Sequence, residues 1–232
     1  MSYVFTPPAI TAVPVANSDK KVAVRRVYCV GRNYAAHAVE MGFDPNREPP
    51  FFFCKPADAV VPVAEGEEYA LSYPSKTSNL HYEAELVAVI GKGGVNISVD
   101  DALEHVWGYA VGLDMTRRDL QMQMREMGRP WEIGKAFDFS APMGPIYPVE
   151  QVGHISSGAI GLTVDGEQRQ LSDVNKLIWS VAETVAYLST LFALEPGDLI
   201  FTGTPEGVGA VEKGEQMRVQ VEGLGELVVN VI

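Results

Sequence analysis

The chain predicts an α+β fold built on a largely antiparallel or mixed sheet. Three observations lead there. Apolar runs of strand length clearly outnumber helical patterns. The two convincing helices, at 116–127 and 179–191, do not alternate regularly with the strands, as a doubly wound fold would require. Finally, strand runs flank strong turn signals at Asn17-Ser18-Asp19-Lys20 and at Asp165-Gly166, the latter a type I′ hairpin signature. A length of 232 residues suits one domain with an ample core, so residues 1–232 are expected to form a single domain.

Taken in order, AITAVPV and VAVRRVYCV are short strands on either side of the first turn. Asn33 is placed to cap a short helix over Tyr34–Met41, stopped by Gly42. FDPNREPP reads as loop, and FFFCKP as a core strand ended by Pro56. Residues 59–73 read as strand and turn. The run LHYEAELVAVI, Leu80–Ile90, reads as one interior strand. Side chains alternate along a strand, so Glu83 and Glu85 share a face with Val87 and Val89, while Ala84, Leu86, Ala88 and Ile90 take the other. A turn at GKGG follows, then a short helix at 99–104 capped by Ser98, then a second interior strand, HVWGYAVGL, with Asp114 at its end. Thr116-Arg117-Arg118-Asp119 resembles a capping box, Leu120, Met124 and Met127 supply an apolar stripe, and Gly128 stops the helix. Residues 131–150 read as a long loop, of the kind that often carries function. Beyond the Asp165-Gly166 hairpin, Val181, Val185, Leu188 and Phe192 fall at helical spacing. Leu199–Phe201 is a buried strand running into TGTPEG, and MRVQVEGLGELVVNVI alternates as a terminal hairpin.

Composition narrows the function classes. Thirty acidic residues against 18 basic ones give a net charge of −12, which argues against a general nucleic-acid or anionic-membrane surface. No apolar stretch approaches the roughly 18 residues of a membrane span, and the N-terminus has no signal-peptide pattern. Cys29 and Cys54 form no CxxC and lie in apolar runs, which reads as two reduced core thiols and fits the cytoplasm.

The chemistry concentrates at a few positions. Two close, partly buried carboxylates repel, and a divalent cation is the simplest compensation. With Asp114 they form an all-oxygen set suited to Mg²⁺, Mn²⁺ or Ca²⁺. Taken alone, an ExE pair more often marks a solvated strand end. Arg118 and Gln121, three apart on one helix face, read as substrate ligands or as a solvated face. His37 and Glu40 repeat that spacing, as an oriented general base or as a surface pair. Lys135 can stabilise an oxyanion or be a surface lysine. TGTP at 202–205 offers N–H groups and hydroxyls to a carboxylate, or is a plain turn.

Six stretches in order, GRNYAAHAVEMG (31–42), FFFCKP (51–56), NLHYEAELVAVIGK (79–92), GYAVGLDMTRRDLQ (108–121), GRPWEIGKAFD (128–138) and GDLIFTGTPEGVG (197–209), resemble the fumarylacetoacetate hydrolase family, in its acylpyruvase and fumarylpyruvate hydrolase branch. The resemblance spans about residues 27–230, with about 1–24 a weakly matching N-terminal extension. It implies a β-rich mixed roll, a homodimer, and Mg²⁺ or Mn²⁺ on Glu83, Glu85 and Asp114. It also implies a water-activating pair in His37 and Glu40, with Arg118, Gln121, Lys135 and Thr204 at substrate-binding positions. The reaction implied is hydrolysis of a C–C bond in a small-molecule acylpyruvate, with fumarylpyruvate giving fumarate and pyruvate in aromatic-compound catabolism. Oxaloacetate decarboxylation or dienoate isomerisation on the same metal site is the alternative. A fumaryl group needs a cation for its far carboxylate, and Arg32 and Arg129 are the candidates.

Overall fold

The computed structural model describes residues 2–40 and 48–232. Strands β1 (Ala12–Pro14) and β2 (Lys21–Ala23) pair across the expected turn, where Asn17 takes a φ of 57°. Then come β3 (Val27–Gly31), helix α1 (Ala35–Glu40), β4 (Phe51–Lys55), β5 (Val60–Pro62), β6 (Glu68–Leu71), β7 (Leu80–Tyr82), β8 (Ala84–Ile90) and β9 (Val106–Leu113). The middle holds β10 (Thr116–Arg117), α2 (Arg118–Glu126), α3 (Glu132–Lys135), β11 (Ala141–Met143), β12 (Tyr147–Pro148) and α4 (Val149–Val152). The chain ends with β13 (Ala159–Val164), β14 (Glu167–Asp173), α5 (Val181–Leu191), β15 (Leu199–Phe201), β16 (Gly209–Ala210), β17 (Gln216–Val221) and β18 (Glu226–Val231). Met41, the Gly42 stop and the loop at 43–47 lie outside the described residues.

The architecture is the β-rich mixed roll expected. An eight-stranded sheet runs β4-β3-β15-β8-β9-β11-β5, with β12 on β9. Its pairings are antiparallel except β15 with β3 and β11 with β5. A five-stranded sheet runs β14-β13-β17-β18-β6, and a small three-stranded one runs β10-β7-β16. The two faces of β8 enter different cores, as alternation requires. Leu86, Ala88 and Ile90 join the core shared with the five-stranded sheet and α5, while Val87 and Val89 pack with Cys29, Phe201 and Met143 inside the curl. The Asp165-Gly166 hairpin has φ of 48° and 81°, both in the left-handed range a type I′ turn needs.

Several local expectations are corrected. The capping box sits on α5, where Ser180 Oγ accepts from Glu183 N–H at 3.3 Å and Glu183 accepts from Ser180 N–H at 3.0 Å. At α2 there is no side-chain cap, because Thr116 is committed to pairing with His81 and its hydroxyl faces inward. Phe192, expected on the buried stripe of α5, is 38% exposed. The expected helix at 99–104 is a single 3-10 turn, Ala102–His105, and Ser98 Oγ accepts from Asp101 N–H just before it. The long loop at 131–150 is largely built into α3, β11, β12 and α4. Cys29 is buried, but Cys54 faces outward from β4 and is not a core thiol.

Candidate active site

The run around Glu83 is not one strand. It breaks at Glu83, between β7 in the small sheet and β8 in the large one. The freed backbone groups find specific partners: Glu83 C=O accepts from Asp114 N–H at 2.9 Å, and Ala84 N–H donates to Gln170 Oε1 at 3.0 Å. The break keeps both glutamates aimed inward. Glu83, Glu85 and Asp114 are 5%, 2% and 0% exposed, and each offers an oxygen within 4.8 Å of the others.

Three buried cations surround them. Lys135 Nζ donates to Glu83 Oε2 at 2.8 Å and to Asp114 Oδ2 at 2.6 Å. Arg118 binds Glu83 Oε1 and also donates to Gln121 Oε1. Lys55 Nζ lies 2.8 Å from Asp114 Oδ1 and donates to Ser140 Oγ, Met115 C=O and Lys135 C=O. The Lys55–Asp114 contact is an ion pair without hydrogen-bond alignment, so Asp114 Oδ1 is buried with no hydrogen-bond donor. No ion pair among the described residues reaches Glu85, whose Oε2 accepts from Gly203 N–H at 2.7 Å.

Titration follows from this layout. Burial alone raises the Glu83 pKa, but Lys135 and Arg118 outweigh it and hold the carboxyl below its ordinary range. Glu85 is pushed well above that range by burial, then by Asp114 and Glu83. Burial pulls Lys135 down, but Asp114 and Glu83 raise its pKa above the ordinary lysine value. The donor set fits a hard divalent cation. An extra positive charge would hold Glu85 ionised and give Asp114 Oδ1, which has no hydrogen-bond donor, a further partner beside Lys55.

Helix α2 turns a polar face inward. Arg118 and Gln121 are its buried residues, whereas Met127 is 52% exposed and Leu120 and Met124 are only half-buried. The reason is what lies beneath: Glu83 for Arg118, and α3 beside Gln121, where Gly134 lies so close that a Cβ would come 2.7 Å from the Gln121 nitrogen. Lys135 follows that glycine and reaches the carboxylates from α3.

The other wall comes from α1 and the segment after β15. His37 is buried, and its Nδ1 is 3.3 Å from Glu40 Oε2. Glu40 also accepts from Gly207 N–H at 3.1 Å, tying the pair to TGTPEG. Asn33 does not cap the helix. Its side chain instead clamps Trp179 and the Thr202 carbonyl. Thr204 is buried, and its Oγ1 accepts from Gln170 Nε2 at 2.9 Å.

His37, Glu83, Glu85, Arg118, Gln121, Lys135, Thr204 and Arg32 line one cleft together with Phe51, Phe53 and Trp131. Asp114 lies buried beneath it. Arg129 is not brought there. It is exposed beyond α2, and Arg125 lines the cleft instead. Sequence reasoning missed Lys55, Gln170, Arg125 and His81. Arg118 Nε donates to His81 Nδ1 at 3.3 Å, and burial and then the Arg118 charge lower the His81 pKa to about 4. A lysine inside FFFCKP was the legible signal, since a buried lysine demands a carboxylate.

With this geometry in place, known proteins extend the picture. The family model described as fumarylacetoacetate hydrolase C-terminal matches residues 26–232. A fumarylpyruvate hydrolase of Ralstonia sp is 47% identical over 188 residues, 81% of this chain and 95% of the relative. An oxaloacetate tautomerase of Escherichia coli is 37% identical over 201 residues, 86% of this chain and 90% of the relative. The crystal structure of a Pseudomonas aeruginosa fumarylpyruvate hydrolase in complex with Mn²⁺ and pyruvate superposes with a TM-score of 0.98 at 70% identity, covering 100% of this chain and 99% of that one. Matching begins where β1 and β2 end, takes in every residue of the cleft, and makes this chain a member of the fumarylacetoacetate hydrolase family.

Proposed function

We propose that this chain, acting over residues 1–232 as one catalytic domain, hydrolyses a C–C bond of acylpyruvates, with fumarylpyruvate giving fumarate and pyruvate. The observation that carries the reading is that His37, paired with Glu40, opens onto the same cleft as Glu83 and Glu85. A base beside a cation site is what water attack on a carbonyl needs. The Ralstonia and Pseudomonas relatives support it.

Glu83, Glu85 and Asp114 would hold Mg²⁺ or Mn²⁺. When bound, the cation supplies Lewis-acid polarisation of the pyruvoyl oxygens. Arg118, Gln121 and Thr204 hold the pyruvoyl carboxylate. His37, oriented through Nδ1 by Glu40, takes a proton from water, and the water oxygen adds to the distal acyl carbonyl. Lys135 stabilises the resulting oxyanion. The bond from that carbon to the methylene then breaks, its electron pair passing into the enolate of pyruvate, and protonation yields pyruvate. Arg32 at the mouth meets the far carboxylate of a fumaryl group.

The net charge of −12 favours a small-molecule partner over nucleic acid, and no helix among the described residues is long and apolar enough to cross a membrane. Unpaired Cys29 and Cys54 support a cytoplasmic setting. Exposed Tyr3, Val4, Phe5 and Ile10 supply apolar surface for a homodimer.

The test follows the loss of enol absorbance of acylpyruvates with Mg²⁺, with Mn²⁺ and with chelator. His37→Ala is expected to lower kcat by about 10²–10⁴. Near-full activity in that variant would remove His37 as the base. Turnover of oxaloacetate without turnover of any acylpyruvate would overturn the hydrolase reading.

A further inference from the structure

The cleft is polar at its floor and cationic again at its mouth. Helix α2 presents Arg118, Gln121, Met122 and Arg125 to it, the i, i+3, i+4, i+7 line of one helix face. Arg118 reaches Glu83 at the floor, so Arg125 stands about 10 Å outward along the axis, at roughly 1.5 Å of rise per residue. Arg32, between β3 and α1, lines the same cleft. Its backbone holds a φ of 56°, a left-handed conformation in which a non-glycine residue is uncommon, and its guanidinium carbon lies 4.8 Å from the centre of the Phe51 ring. Phe51 meets Trp131 edge-on at 5.5 Å, and Trp131 contacts Phe53 at 5.9 Å. The Phe53 ring centre in turn lies 5.0 Å from Lys135 Nζ. An aromatic lining therefore runs from Lys135 outward to Arg32, its rings edge-on or tilted to one another. Such apolar ring surface suits an unsaturated carbon chain.

Two guanidinium groups at one mouth repel each other. Burial lowers the Arg32 pKa, Glu48 partly restores it, and Arg125 lowers it further. An anion between the two would be attracted by both. An extended seven-carbon dicarboxylate spans about 8 Å between its terminal carbons, the same scale as the axial rise of about 10 Å from Arg118 to Arg125.

We propose that Arg125, together with Arg32, forms the subsite for the distal carboxylate of a planar, unsaturated acyl chain, and so selects dicarboxylic over monocarboxylic substrates. This rests on the acylpyruvate reading of the cleft. Arg125 acts here as a specificity-determining residue that touches substrate away from the reacting atoms.

The experiment compares fumarylpyruvate with acetylpyruvate in the wild type, Arg125→Leu, Arg125→Lys and Arg129→Leu. Arg125→Leu is expected to raise KM for fumarylpyruvate at least tenfold more than for acetylpyruvate, the usual worth of a charge-assisted contact. Arg125→Lys should recover part of that ratio. Equal shifts for both substrates, or a larger selective shift in Arg129→Leu, would overturn the assignment. A second arm needs no turnover. With Mn²⁺ and saturating oxalate filling the floor, calorimetry measures fumarate against crotonate, its monocarboxylate counterpart. Tighter binding of fumarate, lost in Arg125→Leu, supports the subsite even if no acylpyruvate is hydrolysed. Equal binding of the two acids in the wild type would overturn it.

Discussion

Gln170 is 1% exposed, and one amide does three things. Its Oε1 accepts from the N–H of Ala84, the residue between the two glutamates, while its Nε2 donates to Thr204 Oγ1 and to the Pro205 carbonyl at 2.8 Å. It therefore joins the break in the carboxylate strand to the segment after β15. Gln170→Leu strands buried donors and acceptors, at about 1–3 kcal/mol of stability. Because it also frees Thr204, it is expected to raise KM for an acylpyruvate more than it lowers kcat. An unchanged melting temperature together with unchanged KM would show that the amide holds nothing in place. No sequence signal marked Gln170, since a glutamine in a polar hairpin strand looks like any solvent-facing residue and its role exists only because β14 packs against Ala84 and the segment after β15. The carboxylates were legible for the opposite reason: acids in an apolar run conflict with their surroundings, and that conflict is visible locally.

At the scale of elements, α2 shows where local patterns mislead. Leu120, Met124 and Met127 make a stripe of correct period, yet the buried residues are Arg118 and Gln121, because the element opposite α2 is charged. Periodicity reports a seam between apolar surfaces and is silent when the seam is polar. The helix start is held from outside. Asp119 Oδ1 accepts from Thr77 Oγ1 at 2.6 Å and Oδ2 from Ser78 N–H at 3.1 Å, fastening the 77–79 loop to α2. Burial raises the Asp119 pKa, but these bonds, Thr77 first, bring it below the ordinary value of 3.8. A carboxyl depressed on folding stabilises the protein above its unfolded pKa, and that contribution is lost as pH falls through the folded one. Asp119→Asn is therefore expected to melt at a lower temperature than the wild type at pH 7, with the gap closing as pH falls below 3.8. A gap that stays constant with pH would mean the charge is not involved.

Across the whole molecule, the cleft draws on α1, β8, the end of β9, α2, α3 and the segment after β15, so a ligand that bridges these parts stabilises all of them. A cation on Glu83, Glu85 and Asp114 should therefore raise the melting temperature. At about 100 times its Kd it adds about 2.7 kcal/mol, or roughly 5–10 °C for a chain of this size. The check is a thermal melt with Mn²⁺, with Mg²⁺ and with chelator, in the wild type and in Glu85→Gln, where the shift should largely vanish. An equal shift in the variant would remove Glu85 from the ligand set. The position of β15 carries a further consequence, for the order of assembly. It lies between β3 and β8, parallel to one and antiparallel to the other, although more than a hundred residues separate it from both. Until residues 199–201 leave the ribosome, the strand leading to His37 and the strand carrying Glu85 have no common neighbour. Such long-range pairing folds slowly. The carboxylates on β8 and at the end of β9 can meet earlier, because those strands pair directly, but a product truncated before Leu199 lacks the strand that sets the α1 side of the cleft beside them.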